Sequence, residues 1–196
     1  HREWLGQLSP DQAVSVYAHI PFCARRCWYC GCHTRATTRT EPVAEYVDRL
    51  VAELALLEAA TPGRLRARDS HLGGGTPNML SRDDLNRLFQ AIRHVFRVSP
   101  GATVAAELDP AVLTRDWVQA AAFHGLSRAS VGVQDLSPRV QAAVNRIEPF
   151  EVIERAVGWL REFGVLSVNL DLMYGLPRQT VADVNNTLDA VLTLKP

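Results

Sequence analysis

The most reactive side chains of this sequence are four cysteines in one short stretch with the spacing C-x3-C-x2-C-x-C: Cys23, Cys27, Cys30 and Cys32. Four thiolates suit tetrahedral zinc, but structural zinc sites usually take their ligands from two short pairs separated by a longer segment. Three thiolates from one loop can instead hold three corners of a cubane iron-sulfur cluster and leave the fourth iron open. The spacing therefore favours the cluster, with zinc and metal-free thiols as the alternatives.

Further polar groups follow predicted strands, at the points where those strands end. A triple glycine and Thr76 come after the second predicted strand, and glycines let the backbone approach a ligand closely. A single carboxylate in such a place can also cap the following helix. Their recurrence on successive strands favours a shared site instead, and the groups concerned are Glu107, Asp109, Gln134, Asp135 and Asp171.

Apolar runs of β type alternate with helical patterns of period 3.6 along the whole chain. Strands are predicted over 14–20, around 70–72, and over 103–108, 129–133 and 166–172. Each strand is followed by a helical pattern, so five β-α units predict parallel strands joined by right-handed crossovers, in an α/β barrel or a doubly wound sheet. Because reactive groups collect at the carboxyl ends of the strands in both architectures, we expect the cysteines and the polar groups on one rim.

Composition bounds the function classes. The 196 residues are 47% hydrophobic and 21% charged, as in a globular domain. Basic and acidic residues both number 21, so net charge gives no reason to expect a nucleic-acid partner. The chain has neither a long apolar run nor an apolar signal core, so we expect no membrane span and a cytoplasmic location. Since the first residue is not Met, we expect part of a longer protein.

The cysteine stretch and five later motifs resemble those of the oxygen-independent coproporphyrinogen III oxidase (dehydrogenase) family of radical S-adenosylmethionine (SAM) enzymes. The first motif reads YxHIPFCxxxCxYCGC from Tyr17 to Cys32. The later ones are GGGTP at 73–77, ELDP at 107–110, SVGVQD at 130–135, VNR at 144–146 and NLDLMYGLP at 169–177. Haem-handling paralogues in this family typically carry an aromatic residue in place of Cys32, so its presence favours the oxidase.

The resemblance implies that Cys23, Cys27 and Cys30 hold a 4Fe-4S cluster and that two SAM molecules bind per chain. The first SAM, which chelates the cluster, would contact Tyr17, Gly74 and Glu107. The second SAM would contact Tyr29, Gly75, Thr76, Gln134, Arg146 and Asp171. We expect His19 and Cys32 close to the cluster without binding it.

The implied reaction is the oxidative decarboxylation of two propionates of coproporphyrinogen III to vinyl groups, which yields protoporphyrinogen IX for haem biosynthesis without oxygen. The implied partners are the porphyrinogen substrate and an electron donor protein such as a flavodoxin or ferredoxin, and a monomer is expected. A haem-handling radical SAM paralogue without this activity and a zinc-stabilised binding module are the alternatives.

The implied fold is a partial (β/α)6-type radical SAM barrel of about five β-α units. Residues 1–13 would form an N-terminal extension, and residues 14–196 a barrel domain that stops before the sixth unit and the C-terminal domain. An open barrel would leave the edge of the fifth strand unpaired and the substrate poorly enclosed. We therefore expect these residues alone to be weakly active or inactive.

Overall fold

The computed structural model describes residues 2–196, so residue 1 of the predicted extension lies outside the described part. In chain order the elements are α1 (Arg2–Gly6), β1 (Ala13–Ile20), β2 (Phe22–Cys23), β3 (Arg35–Ala36), α2 (Glu41–Ala60), β4 (Arg66–Gly74), a 3-10 turn (Pro77–Met79), α3 (Arg82–Val95), β5 (Arg97–Leu108), α4 (Arg115–Phe123), β6 (Leu126–Gln134), α5 (Pro138–Ala143), α6 (Phe150–Glu162), β7 (Ser167–Leu172) and α7 (Val181–Leu192).

Five of the strands form one parallel sheet in the order β1-β4-β5-β6-β7, and β2 pairs with β3 apart from it. The main strands thus follow one another across the sheet in chain order, with helices between them. The predicted α/β architecture of five parallel β-α units is confirmed. Within residues 2–196, β1 and β7 are the two edge strands of this sheet.

The predicted helix ends rest on the expected capping chemistry. The Ser81 hydroxyl accepts a hydrogen bond from the Asp84 amide at 3.1 Å, and Thr180 with Asp183 forms a reciprocal capping box. Gly125 and Gly164 follow α4 and α6 with φ values of 93° and 82°. Because this left-handed conformation strains other residues, the two glycines end the helices.

Several elements differ from the sequence-based expectation, which contained no helix or strand at the positions of α1, β2 and β3. Strand β5 begins at Arg97 rather than at 103. The prediction missed residues 97–102 because they contain a proline and a glycine, which hide the strand pattern. Strand β4 begins at Arg66 rather than near 70, in a polar stretch with no alternating pattern. Helix α5 was not predicted, since six residues are too few to show a helical period.

The two faces of the main sheet differ in chemistry. Residues such as Leu72, Ala106 and Val131 point towards the helices and belong to the buried core. Polar residues that alternate with them lie on the opposite side, which we call the open face, and line a cavity of about 600 Å³: Asp69, His71, Glu107, Arg128, Ser130 and Asp171. Parallel sheets are commonly covered by apolar contacts on both faces, so this polar lining indicates a site. None of the described helices is long and apolar enough to cross a bilayer.

Candidate active site

The cysteine loop, residues 21–34, leaves the carboxyl end of β1. Its two ends are joined because Phe22 pairs with Arg35 and Cys23 pairs with Ala36. Tyr29 packs onto the small apolar cluster of Val140, Val144 and Leu176, which anchors the middle of the loop. Burial raises the pKa of the Tyr29 hydroxyl far above its usual range, so this group stays neutral.

Each of the first three thiols accepts one hydrogen bond from the protein. The Thr76 hydroxyl donates to Cys23 Sγ at 3.3 Å, Arg146 Nη1 donates to Cys27 Sγ at 3.6 Å, and the Cys32 amide donates to Cys30 Sγ at 3.4 Å. Burial raises the pKa of the Cys23 thiol, and the hydrogen bond from Thr76 opposes this shift. Donors directed at sulfur stabilise thiolates and tune the potential of iron-sulfur clusters, so the three cysteines fit such a ligand set.

The cleft above the strand ends brings together most of the residues that the sequence predicted. All four cysteines are free and line this cleft. It is also lined by Tyr29, Gly74, Gly75, Thr76, Glu107, Gln134, Arg146 and Asp171. Tyr17 and His19 lie outside its lining, on the part of β1 that precedes the cysteine loop.

Glu107 is held in place by two neighbours on β4. Its Oε2 accepts a hydrogen bond from the Gly74 amide at 3.0 Å, and its Oε1 lies 3.2 Å from His71 Nε2. His71 was not among the predicted site residues. The sequence did contain one signal for it. His71 stands two residues before Gly73 of the GGGTP motif, and alternate residues of a strand share one face. His71 is therefore on the same face of β4 as the first glycine of this motif.

Tyr17 and His19 make a second set of contacts next to Glu107. The Tyr17 ring stacks on His71 with centroids 5.7 Å apart, and its hydroxyl lies 3.2 Å from His19 Nδ1. His19 Nε2 lies 3.1 Å from the carbonyl oxygen of His33, at the end of the cysteine loop. Since a carbonyl only accepts, Nε2 donates, and Nδ1 accepts from Tyr17. His19 therefore connects β1 to the cysteine loop.

The glycines of the GGGTP motif are required by close packing. An added Cβ at Gly75 would lie 2.6 Å from the carbonyl oxygen of Phe22, and one at Gly74 would lie 2.5 Å from the His19 ring. Gly74 also has a φ of 108°. Both positions exclude a side chain, so the motif brings β4 and the cysteine loop into contact.

Gln134 and Asp171 lie where β6 and β7 end. Ser130 Oγ donates to Asp171 Oδ2 at 2.7 Å, and Asn169 Nδ2 donates to the other carboxylate oxygen at 2.5 Å. Gln134 has a φ of 69°, a conformation that non-glycine residues adopt rarely and mainly at functional positions. The sequence pattern did not identify Ser130 or Asn169 as supports of Asp171.

Arg146 is not the solvated surface arginine that its aperiodic segment allowed. Its side chain is 11% exposed and donates to the Gly132 carbonyl oxygen at 2.8 Å. Its Nη2 also lies 3.6 Å from Asp109 Oδ1 and 3.3 Å from Glu148 Oε2. Glu148 and Arg25, which no sequence pattern indicated, belong to the same group, and Arg25 donates a hydrogen bond to Glu148.

Glu148, Asp109 and Arg146 have perturbed pKa values because they are buried beside charged neighbours. Burial raises the pKa of Glu148 to about 8 against the opposing charge of Arg146. Burial would also raise the pKa of Asp109, but Arg146 and Arg25 hold it below its usual value. The two carboxylates in turn hold the pKa of Arg146 above its usual range in spite of burial. Perturbed groups of this kind concentrate in functional sites.

The zinc alternative gains no support from the described residues. Between residues 2 and 196, no three His, Cys, Asp or Glu side chains are arranged to hold a single metal ion. A cubane cluster is larger than one ion, and its ligands stand correspondingly further apart.

Comparison with known proteins identifies a superfamily whose sequence model covers the cysteine motif and most of the fold. The sequence model of the radical SAM superfamily matches residues 17–191. The oxygen-independent coproporphyrinogen III oxidase of Bradyrhizobium diazoefficiens is 42% identical over 196 residues, which are 100% of this chain and 44% of that protein. The enzyme of the same name from Helicobacter pylori strain J99 is 39% identical over 96% of this chain and 42% of its own length. The chain thus spans less than half the length of these curated relatives.

Solved structures agree with this assignment. Coproporphyrinogen III oxidase from Escherichia coli, described as a radical SAM enzyme, superposes with a TM-score of 0.93 and 34% identity over 98% of this chain and 44% of that one. A radical SAM methyltransferase from Kitasatospora setae, with cobalamin and a 4Fe-4S cluster bound, has a TM-score of 0.61 and 19% identity over 92% of this chain and 32% of that one, a likeness of fold alone. The match over residues 17–191 means that this chain belongs to the radical SAM superfamily.

Proposed function

We propose that this chain is the catalytic barrel part of an oxygen-independent coproporphyrinogen III oxidase, acting in haem biosynthesis. The observation that carries the proposal is the convergence of Cys23, Cys27 and Cys30 with the strand-end residues in one cleft. The 42% identity to the Bradyrhizobium diazoefficiens oxidase, which extends over the whole chain, supports this choice of reaction.

In this proposal Cys23, Cys27 and Cys30 hold a 4Fe-4S cluster. The hydrogen bonds from Thr76, Arg146 and the Cys32 amide are directed at these three sulfur atoms and would orient them as ligands of iron. The exposed Cys32 contributes its backbone amide, and its thiol is left free.

The proposed binding residues for two SAM molecules form two sets. Tyr17, Gly74 and Glu107 would orient the first SAM, and Glu107 offers a carboxylate to a cationic or hydroxyl group. Tyr29, Gly75, Thr76, Gln134, Arg146 and Asp171 would bind the second. His19 would support the first group through Tyr17.

When bound, the reduced cluster and SAM supply reductive cleavage of a carbon-sulfur bond and, from it, a radical that removes a hydrogen atom from a substrate propionate. The residues of the chain would bind and orient these groups. The polar open face would enclose the substrate beneath the cofactors, since its hydroxyl, carboxylate and guanidinium groups keep that side of the sheet from packing as an apolar core.

Further parts of the proposal concern organisation and partners. Residues 14–196 would form one barrel domain after an extension at 1–13. The substrate would be coproporphyrinogen III, the electron donor a flavodoxin or ferredoxin, and the working state a monomer in the cytoplasm.

Anaerobic reconstitution tests the cluster. We expect about four irons and four sulfides per chain in the unmodified protein and in Cys32→Ala, and loss of most of both in Cys23→Ala, Cys27→Ala and Cys30→Ala. Zinc without acid-labile sulfide would contradict the proposal.

A chimera tests the substrate. The matching part of the Bradyrhizobium diazoefficiens oxidase would be replaced by this chain, and protoporphyrinogen IX formation would be followed without oxygen in the presence of a reductant. Turnover supports the oxidase. A chimera that holds its cluster and SAM but fails to convert coproporphyrinogen III would favour the haem-handling paralogue.

A further inference from the structure

The segment that connects α5 to α6, residues 144–148, forms two hydrogen bonds with backbone atoms of the cysteine loop. The Trp28 amide donates to the Val144 carbonyl oxygen at 3.0 Å. Asn145 Nδ2 donates to the Arg26 carbonyl oxygen at 2.9 Å. Two consecutive residues of the segment thus hold two residues that flank Cys27 on either side.

The same segment holds the loop through a buried side chain. Glu148 is 1% exposed and accepts a hydrogen bond from Arg25, which lies in the loop between Cys23 and Cys27. Glu148 also lies 3.3 Å from Arg146, whose other guanidinium nitrogen donates to Cys27 Sγ. Glu148 therefore connects to the loop along two routes, through Arg25 and through Arg146.

The segment is itself rigidly placed. Gln141 Nε2 donates to the carbonyl oxygens of Glu148 and Asp135, both at 2.8 Å, and its Oε1 accepts from the Glu148 amide at 3.1 Å. Asn145 has a φ of 56°, in the left-handed region that asparagine tolerates better than most residues. A buried glutamine and a constrained asparagine thus fix the shape of the segment independently of its contacts with the loop.

We propose that residues 144–148 form a clamp that preorganises the cysteine loop, with Glu148 as its central positioning residue. The inference rests on the proposed function in assigning a cluster to this loop. The contacts of the clamp, however, involve protein atoms alone. The entropy cost of ordering the three thiols is therefore met when the chain folds, and less remains to be met when the cluster binds.

Hydrogen exchange of the Trp28 amide in the purified chain, before and after reconstitution, tests the clamp. In Glu148→Ala we expect this amide to exchange about tenfold faster or more in the cluster-free state, because Arg25 and Arg146 lose a buried partner. In Glu148→Gln the amide oxygen can still accept from Arg25, so we expect a smaller increase. The control is Glu162→Ala, which removes an exposed ion pair with Arg115 and leaves the Trp28 amide unchanged.

If Glu148→Ala does not fold, hydrogen exchange of the Trp28 amide in Asn145→Gly still tests the clamp. Glycine accepts the same φ, so this change removes the hydrogen bond to Arg26 without adding strain. We expect an increase of about two- to tenfold at Trp28, the range for one lost hydrogen bond, with the amides of α6 unchanged.

Wild-type exchange at Trp28 in folded Asn145→Gly, and in Glu148→Ala wherever that variant folds, would overturn the clamp. The iron and sulfide content of the unmodified chain is measured separately. Failure of the clamp and failure of the proposed cluster therefore give different results.

Discussion

His71 Nε2 and Glu107 Oε1 lie 3.2 Å apart on the neighbouring strands β4 and β5. His71 is stacked on Tyr17, so its ring is fixed from one side while it contacts the carboxylate from the other. Glu107 accepts a second hydrogen bond from the Gly74 amide. The carboxylate is thus oriented before any ligand reaches it.

Replacing His71 should weaken SAM binding. His71→Phe keeps an aromatic ring for Tyr17 but removes the contact with Glu107, so the carboxylate gains freedom that binding must then remove. We expect the dissociation constant for SAM to rise about tenfold, measured by equilibrium dialysis on the reconstituted chain. His94→Phe is the control, because His94 on the exposed surface of α3 makes a similar contact with Glu58 of α2. An unchanged dissociation constant in His71→Phe would remove the role assigned to this pair.

The strand-end residues could be predicted, but their supporting contacts could not. Glu107, Gln134 and Asp171 follow recognisable apolar runs, and parallel strands bring their carboxyl ends to one rim. Glu148 stands in an aperiodic segment, and its partner Arg25 is 123 residues away along the chain. No local pattern carries such a contact. Arg25 differs from the other arginines only in the folded protein, where the cysteine loop lies against residues 144–148 and Arg25 contacts Glu148.

Gly75→Ala should destabilise the protein. The added Cβ would lie 2.6 Å from the Phe22 carbonyl oxygen, a backbone atom that cannot rotate away. We expect the free energy of unfolding to fall by about 1–3 kcal/mol in urea titrations, as for other overpacked sites.

Gly158→Ala supplies the matched control for that experiment. Gly158 lies in α6, and a Cβ there would meet nothing within 4 Å. The expected effect is a gain of about 0.5–1 kcal/mol, because alanine is the better helix former. Equal effects of the two substitutions would show that close packing at Gly75 does not limit stability.

His124 should make stability depend on pH. Its Nε2 lies 2.7 Å from Asn86 Oδ1, and Arg93 Nη1 lies 3.1 Å from Nδ1. Since the amide oxygen and the guanidinium fix both roles, Nε2 carries the proton and Nδ1 accepts from Arg93. Burial, and then the charge of Arg93, lower the pKa of His124 below 6.5.

The sign of this dependence follows from the lowered pKa. Between the folded-state pKa and 6.5, the unfolded chain binds the proton and the folded chain does not. The contribution of His124 is therefore complete above 6.5 and is lost progressively as the pH falls through that window. In urea titrations at about pH 8 and about pH 5, His124→Asn should lose less stability on acidification than the unmodified protein. Equal slopes in the unmodified protein and in His124→Asn would contradict the assignment.

Alternate residues of the main sheet have different roles, in the apolar core and in the polar cavity. On β4, β5 and β6 every second side chain is committed to the helices, and the residues between them face the polar cavity. Selection can thus act on one set with little effect on the other. Neighbouring positions of a single strand can therefore vary independently, so the polar lining of the cavity can change without altering the core that supports the sheet.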